Sequence, residues 1–359
     1  IYVVDGSRPV RDDDLAEIEI LRLTGRPRMA IINSKTSQID YSREWKNEFS
    51  KTFNAIRRFN ANLAGFSERT ALLESLKAID QEWEAVLSRV ISAFRSERAQ
   101  RCALTAAKIV QALEKAIGHT ASAPLLEDQD AGSIETALKE TYQTQIRQIE
   151  QEMFTYIRSL FRHRLYDYPL PECSLLSHDL FSKKTWEVLG LTPRQLAGAG
   201  AMLGGSMGAA LDVAAAGITF GVFTAIGSAL GAGSAVLGSK KIIQTKKSGF
   251  RLGSDRIIVG PSRNIQLLYV LMDRALLFSE HMANRAHGRR DLPETSQDAR
   301  VQAREGYTTR FSDDQKKICA AFFKVAARPS AGRNSDKRAA FQDLLTQALN
   351  RIMDPGANL

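Results

Sequence analysis

A polar cluster stands at the end of an apolar run near the start of the 359-residue chain, and its side chains can donate and accept hydrogen bonds. The run MAIIN ends at Asn33, and Lys35 follows two positions later. An asparagine amide carries both hydrogen-bond donors and an acceptor. A second polar cluster, Asn60-Ala61-Asn62, follows the run AIRRF.

The elements around these clusters can be predicted from the hydrophobic pattern. The β-rich runs IYVVD, MAIIN and AIRRF begin at residues 1, 29 and 55. Helical spacing lies between them, first in Leu15, Ile18, Leu21 and Leu23, and again over about residues 42–51. Strands and helices that alternate in this way indicate consecutive βαβ units, and therefore a parallel sheet with right-handed crossovers.

Residues 1–33, with the segment NEFSKTFNAIRRFNAN and the helical stripe after it, resemble a known family. The run IYVVDGSRPVRDDDLAEIEILRLTGRPRMAIIN is similar to the later half of a TrmE- and Era-like GTPase domain. The rest resembles bacterial GTPases of that family with a C-terminal helical domain of unknown function. The resemblance implies guanine-nucleotide-binding positions at Asn33, Lys35, Asn60 and Ala61, and GTP with magnesium as cofactors of a full-length parent.

Both guanine-recognition motifs depart from the pattern of that family. In N-K-x-D, the Asp carboxylate accepts hydrogen bonds from guanine and excludes adenine, but this chain reads Asn33-Ser34-Lys35-Thr36. Asp40 comes four residues too late. The last motif, Ser-Ala-Lys, would fall on Asn60-Ala61-Asn62 and matches only its alanine. The alternative interpretation is that Asn33 simply ends a strand and turns the chain.

The phosphate-binding motif of such domains is absent from the 359 residues. No G-x-x-x-x-G-K-[ST] loop occurs, and the switch segments and the D-x-x-G motif are missing too. The chain also begins at Ile1, inside an apolar run, so we interpret it as a fragment of a longer protein. We therefore expect no catalytic residue, no metal site and no useful GTP binding in this chain.

Beyond Asn62 the pattern becomes almost entirely helical. The predicted segments are 1–62, the C-terminal half of a GTPase-like domain; 63–186, a helical region; 187–290, a Gly/Ala-rich hairpin and basic helical region; and 291–359, a mobile linker and amphipathic helices. A stripe from Leu72 to Phe94, with Trp83 in it, is predicted to be core. Residues 119–132 are expected to form a loop, and Ser312 with Gln315 a capping box. The fold class is thus an α/β partial P-loop GTPase-like parallel sheet followed by a mostly α-helical domain.

Residues 196–238 contain eleven glycines and twelve alanines, many of them four positions apart, with Asp212 as the one charge. This spacing predicts a helical hairpin with small-residue faces, a glycine-zipper pattern. The hairpin either inserts in a bilayer or is buried inside a helical domain or at a partner interface. Asp212 and the shortness of the first half weigh against a two-pass hairpin.

Basic residues adjoin that segment. Eleven Lys or Arg and three acids lie between Lys240 and Arg290. Such a basic cluster would attract anionic lipid headgroups. The partners expected are a membrane surface or anionic lipid, and a protein partner or homo-oligomer; nucleic acid ranks lower because few aromatics accompany the cations. We expect a cytoplasmic protein, with the inner membrane as its alternative site.

The remaining candidates for chemistry are weak. His163, Asp167, Cys173, His178 and Asp179 form a loose group, and a solvated loop explains them better than a metal or thiol site. The resulting hypothesis is a fragment of an Era-like GTP-binding protein with a helical effector domain. The alternatives are a nonenzymatic helical membrane-associated or scaffold protein with a degenerate G domain, and an RNA-binding GTPase relative.

Overall fold

A computed structural model describes residues 1–34, 40–61, 64–125, 130–161, 176, 178–192, 194–196, 199, 224–227, 256–284, 306–328 and 335–353. The chain divides into two compact units. The first unit comprises Ile1–Leu104, Ser279–Leu292 and Ala348–Leu359, and the second comprises Thr105–Phe278 and Pro293–Gln347.

A three-stranded parallel sheet opens the first unit. Its strands are β1 (Tyr2–Asp5), β2 (Met29–Asn33) and β3 (Ala55–Phe59), in that spatial order. Asp5 is opposite Asn33, and Asn33 is opposite Phe59, so the three strands end level with one another. The predicted strands and their parallel pairing are confirmed.

Two helices cover one face of this sheet. They are α1 (Asp12–Leu23) and α2 (Ser42–Phe49), and the core between helices and sheet contains Val4, Ile18, Ala30, Ile32, Trp45 and Phe49. The acidic first turn of α1 suits the positive end of the helix. There Asp14 accepts from the backbone N–H of Arg11, and the Arg8 guanidinium beside it holds the pKa of Asp14 below its usual value.

The long apolar stripe after the sheet is divided between two helices, α3 (Phe66–Lys77) and α4 (Glu84–Gly118), with a single 3-10 turn, Gln81–Trp83, before α4. The prediction that Trp83 is core is wrong, because 48% of its surface is exposed. Further along α4, the side chains of Ala106, Val110, Leu113 and Ile117 are buried in the second unit.

The second unit continues with β4 (Ala121–Pro124), α5 (Ala131–Leu160) and α6 (Lys183–Val188). The prediction of a loop over residues 119–132 is therefore wrong at β4. That strand pairs antiparallel with β6 (Arg256–Val259), which also pairs antiparallel with β5 (Thr224–Gly227). The small sheet has the order β4-β6-β5.

β5 is the part of the predicted Gly/Ala-rich helical hairpin that can be compared with the structure. Its four residues are a strand, so the predicted helix is wrong at that point. Of the rest of residues 196–238, the structure describes only Leu196 and Ala199, both helical. The hairpin as a whole, Asp212 and most of the basic cluster lie outside the described residues.

Three further helices complete the described chain: α7 (Ile265–Asn284), α8 (Asp313–Ala326) and α9 (Ser335–Ile352). Almost every residue of α7 from Ile265 to Met282 is buried, so this helix is covered on more than one side. The Ser312–Gln315 capping box at the start of α8 is present. In the second unit, Phe322 of α8 stacks on Phe341 of α9 with ring centroids 4.0 Å apart.

Candidate nucleotide-recognition edge

The carboxyl ends of β1, β2 and β3 form one edge of the parallel sheet, and the described positions predicted from the sequence lie there. Asn33 is the last residue of β2, and Asn60 and Ala61 follow β3 directly. The side-chain oxygen of Asn33 accepts a hydrogen bond from the backbone N–H of Ala61 at 3.2 Å. The structure thus brings Asn33, Asn60 and Ala61 together. Lys35 lies outside the described residues.

A tight turn after β1 closes over the same edge. The Gly6 N–H donates to the carbonyl of Asn33 at 3.0 Å, and its carbonyl accepts from the Tyr41 N–H at 2.8 Å. A Cβ at Gly6 would lie 3.0 Å from the Cγ2 of Ile32, so glycine is what permits this close approach. The turn therefore fixes the backbone around Asn33 from the β1 side.

Asp40 is the carboxylate closest in sequence to the missing guanine-reading aspartate, and it already binds nearby residues of the same chain. It accepts from the backbone N–H of Ser42 at 2.9 Å and forms an exposed ion pair with Arg58 at 3.1 Å. The hydrogen bonds from Ser42, with the nearby Arg58 charge, hold the pKa of Asp40 below its usual value. Asp40 is therefore ionised at neutral pH and engaged in starting α2.

The chemistry available at this edge is hydrogen bonding. An asparagine amide and backbone N–H groups can pair with the polar edge of a planar base. Within the described ranges, no group of three or more His, Cys, Asp or Glu side chains could hold a metal ion. Of the loose group around Cys173, the structure describes His178 and Asp179, and Asp179 forms an ion pair with Arg147 at 2.6 Å.

Sequence reasoning missed a set of buried polar side chains on α7. Asp273 accepts hydrogen bonds from the backbone N–H groups of Gly190 and Thr308 at 2.7 and 2.8 Å. Gln266 bonds the backbone of Leu191, and Arg274 pairs with Glu150 at 2.6 Å, both side chains being almost fully buried. The signal was available: these are polar residues within an otherwise apolar helix. Their partners are backbone groups and an internal carboxylate, so this cluster holds the second unit together.

The structure bears on the expected membrane association in one respect, which is the character of its helices. Of the helices that the structure describes, none combines the length and the apolar character needed to cross a bilayer.

Comparisons with known proteins give one match. A family model described as a domain of unknown function, DUF3482, matches residues 46–351, which begin within α2 and end in the last turn of α9. Neither the curated proteins nor the solved structures include a match to the chain. Since the family model covers most of its length, the chain belongs to the DUF3482 family.

Proposed function

We propose that residues 1–62 are the guanine-binding half of an Era-like GTP-binding domain, and that the helical part of the chain is its effector. The observation that carries this proposal is the hydrogen bond from the Ala61 N–H to the side chain of Asn33. The two residues are those that match the asparagine of the N-K-x-D motif and the alanine of the Ser-Ala-Lys motif. Their contact joins the two loops that would surround a purine.

The order of the strands supports the proposal. A nucleotide in an open parallel sheet binds outside the carboxyl ends of the strands. β1, β2 and β3 are adjacent and parallel, and their carboxyl ends are level at Asp5, Asn33 and Phe59. The loop after each strand therefore reaches the same edge, as a shared binding site requires.

The open side of β1 also fits the proposal. Among the described residues, β1 pairs with β2 and with no other strand, and Val3 in its middle is 60% exposed. Val3 is opposite Ile31, which is buried. A further strand and helix beside β1 would cover Val3, and in Era-like domains the phosphate-binding half precedes this region.

Thr36 in place of the aspartate limits what this edge contributes to specificity. Without a carboxylate at that position, the bidentate pairing that separates guanine from adenine is lost. We therefore expect discrimination between GTP and ATP to be weaker than in relatives with the complete motif. A nucleotide switch would then act by changing the contacts of the helical effector.

Calorimetric titration of the protein at its natural length with GDP tests the proposal. We expect binding in the micromolar range, and Asn33→Ala should weaken it at least about tenfold by loosening the loop that holds Ala61. Asn54→Ala is the matched control, because Asn54 accepts from the Arg28 N–H at the opposite edge of the same sheet. Absence of binding, or equal losses in both variants, would overturn the proposal.

A further inference from the structure

An apolar stripe begins in the 3-10 turn before α4 and continues along the first half of that helix, and the residues that the structure describes leave it exposed. Trp83, Val86 and Phe94 are 48%, 50% and 44% exposed. With the partly buried Val90 they are spaced three and four residues apart, so they share one side of the helix. Ile91 is only 2% exposed, so a different side of the helix is covered.

An exposed stripe of this composition is typical of an interface. Tryptophan and phenylalanine are enriched where proteins meet, and scattered single apolar residues are the normal pattern elsewhere on a surface. From Trp83 to Phe94 the stripe extends about 16 Å along the helix axis. It is therefore long enough to align with a second helix over about three turns.

The charges along the stripe indicate which helix would fit. Residues 80–84 contain three acids and no base, whereas residues 85–101 contain four arginines and one glutamate. A parallel copy would place acid beside acid and arginine beside arginine. An antiparallel copy places the acidic end of each helix beside the basic part of the other, and a two-fold axis repeats that match on both sides.

We propose that this stripe is the interface of a homodimer in which the first halves of two α4 helices pair antiparallel. In that arrangement Trp83 lies against the end of the stripe that carries the partner subunit's Phe94. A stable interface buries about 800 Å² on each partner, and one helix face supplies less. The dimer is therefore weak, with a dissociation constant in the micromolar range, and depends on protein concentration.

Analytical ultracentrifugation of the 359-residue chain, from about 1 to 100 µM, tests the interface. The variant Trp83→Ser/Phe94→Ser should raise the dissociation constant at least about tenfold, since aromatic side chains dominate such contacts. Ile20→Ser is the matched control, because Ile20 is 64% exposed on α1 and outside the stripe. A chain that is monomeric at 100 µM, or a dimer that the stripe variant leaves unchanged, would overturn the proposal.

Charge reversal tests the antiparallel arrangement. Glu82→Arg/Glu84→Arg should weaken the dimer, and so should Arg95→Glu, whereas combining all three substitutions should restore it. A variant that merely damaged the fold would not be rescued in this way, and circular dichroism confirms that each variant keeps its helices. Arg95 also pairs with Glu74 at 3.2 Å, an exposed contact whose loss costs little. Failure of the triple variant to recover would exclude antiparallel pairing.

Discussion

The side chain of Asn33 holds the backbone N–H of Ala61 at 3.2 Å, although the two residues are 28 positions apart in the chain. The contact ties the end of β2 to the loop after β3. It sets the backbone of that loop against the end of the neighbouring strand, where the Ser34 N–H also donates to the carbonyl of Phe59 at 3.0 Å.

Two substitutions of Asn33 should show whether its hydrogen-bond acceptor, rather than the size of its side chain, holds the loop after β3. Asn33→Ala removes the acceptor, and we expect faster amide-hydrogen exchange at Ala61 and a loss of about 1 kcal/mol in the free energy of unfolding. Asn33→Asp keeps an oxygen in the same place, so Ala61 should stay protected. Equal exchange rates at Ala61 in both variants would show that the hydrogen bond does not hold the loop.

The 359-residue chain alone should not bind GTP. Its sequence has no phosphate-binding loop, and the guanine edge has lost its aspartate, so the nucleotide would be held by a few hydrogen bonds. We expect a dissociation constant weaker than about 1 mM in a calorimetric titration. Micromolar affinity would mean that the phosphates are bound by residues with no resemblance to the usual loop.

The buried ion pair between Arg274 and Glu150 should be among the most sensitive contacts of the second unit. Glu150→Gln leaves the arginine charge buried without its counter-ion, and we expect a loss of about 3–5 kcal/mol in urea unfolding. Glu48→Gln removes an exposed pair with Lys51 instead and should cost less than about 0.5 kcal/mol. Similar losses of stability in the two variants would contradict the prediction that the buried pair matters more than the exposed one.

Gly306 should tolerate no side chain. A Cβ there would overlap the carboxylate of Asp273, which also accepts from the Thr308 backbone. We expect Gly306→Ala to lower the free energy of unfolding by about 2 kcal/mol. In the control Gly132→Ala, the added Cβ makes ordinary contacts in the first turn of α5, so stability should be unchanged or slightly higher. A neutral Gly306→Ala would argue against the close approach.

Asp273 should make the second unit more stable in mild acid. Burial raises the pKa of Asp273 to about 6, against an ordinary value of 3.8, so the folded state holds this proton more tightly than the unfolded state. The stability from this group is therefore fully present below about pH 4 and is lost as the pH rises through 6. Asp14 and Asp40, whose pKa values are lowered, change stability only at more acidic pH.

The measurement is urea unfolding at pH 5 and pH 7. We expect Asp273 to contribute about 1 kcal/mol more stability at the lower pH, and Asp273→Asn to remove that difference. The comparison between the two proteins cancels the titration of other groups. An identical pH dependence in both would show that Asp273 titrates outside this window.

Local pattern was sufficient to predict β1, β2 and β3, because each is a short β-rich run that a helix follows. It failed at β4, whose sequence ASAP includes a proline and no β-branched residue. That strand forms because β6, more than 130 residues later, pairs with it. A partner so distant leaves no local signal.

Periodicity also could not identify the covered side of a helix. The stripe from Leu72 to Phe94 has helical spacing, but Trp83 and Phe94 are about half exposed, while Ile91 in the same stripe is buried. The polar residues of α7 stand out in an apolar segment, but their partners could not be predicted for a related reason. Asp273 is 83 residues from Gly190, and only the folded chain brings them together.

Amide-hydrogen exchange of the natural-length protein, with and without GDP, tests the central claim most directly. If the carboxyl edge of the parallel sheet binds the base, GDP should slow exchange in peptides covering residues 29–34 and 55–61. Exchange at Asn54 and Arg28, at the opposite edge, should change less. No protection at either loop, or protection confined to the helical unit, would contradict the assignment of this sheet to guanine-nucleotide recognition.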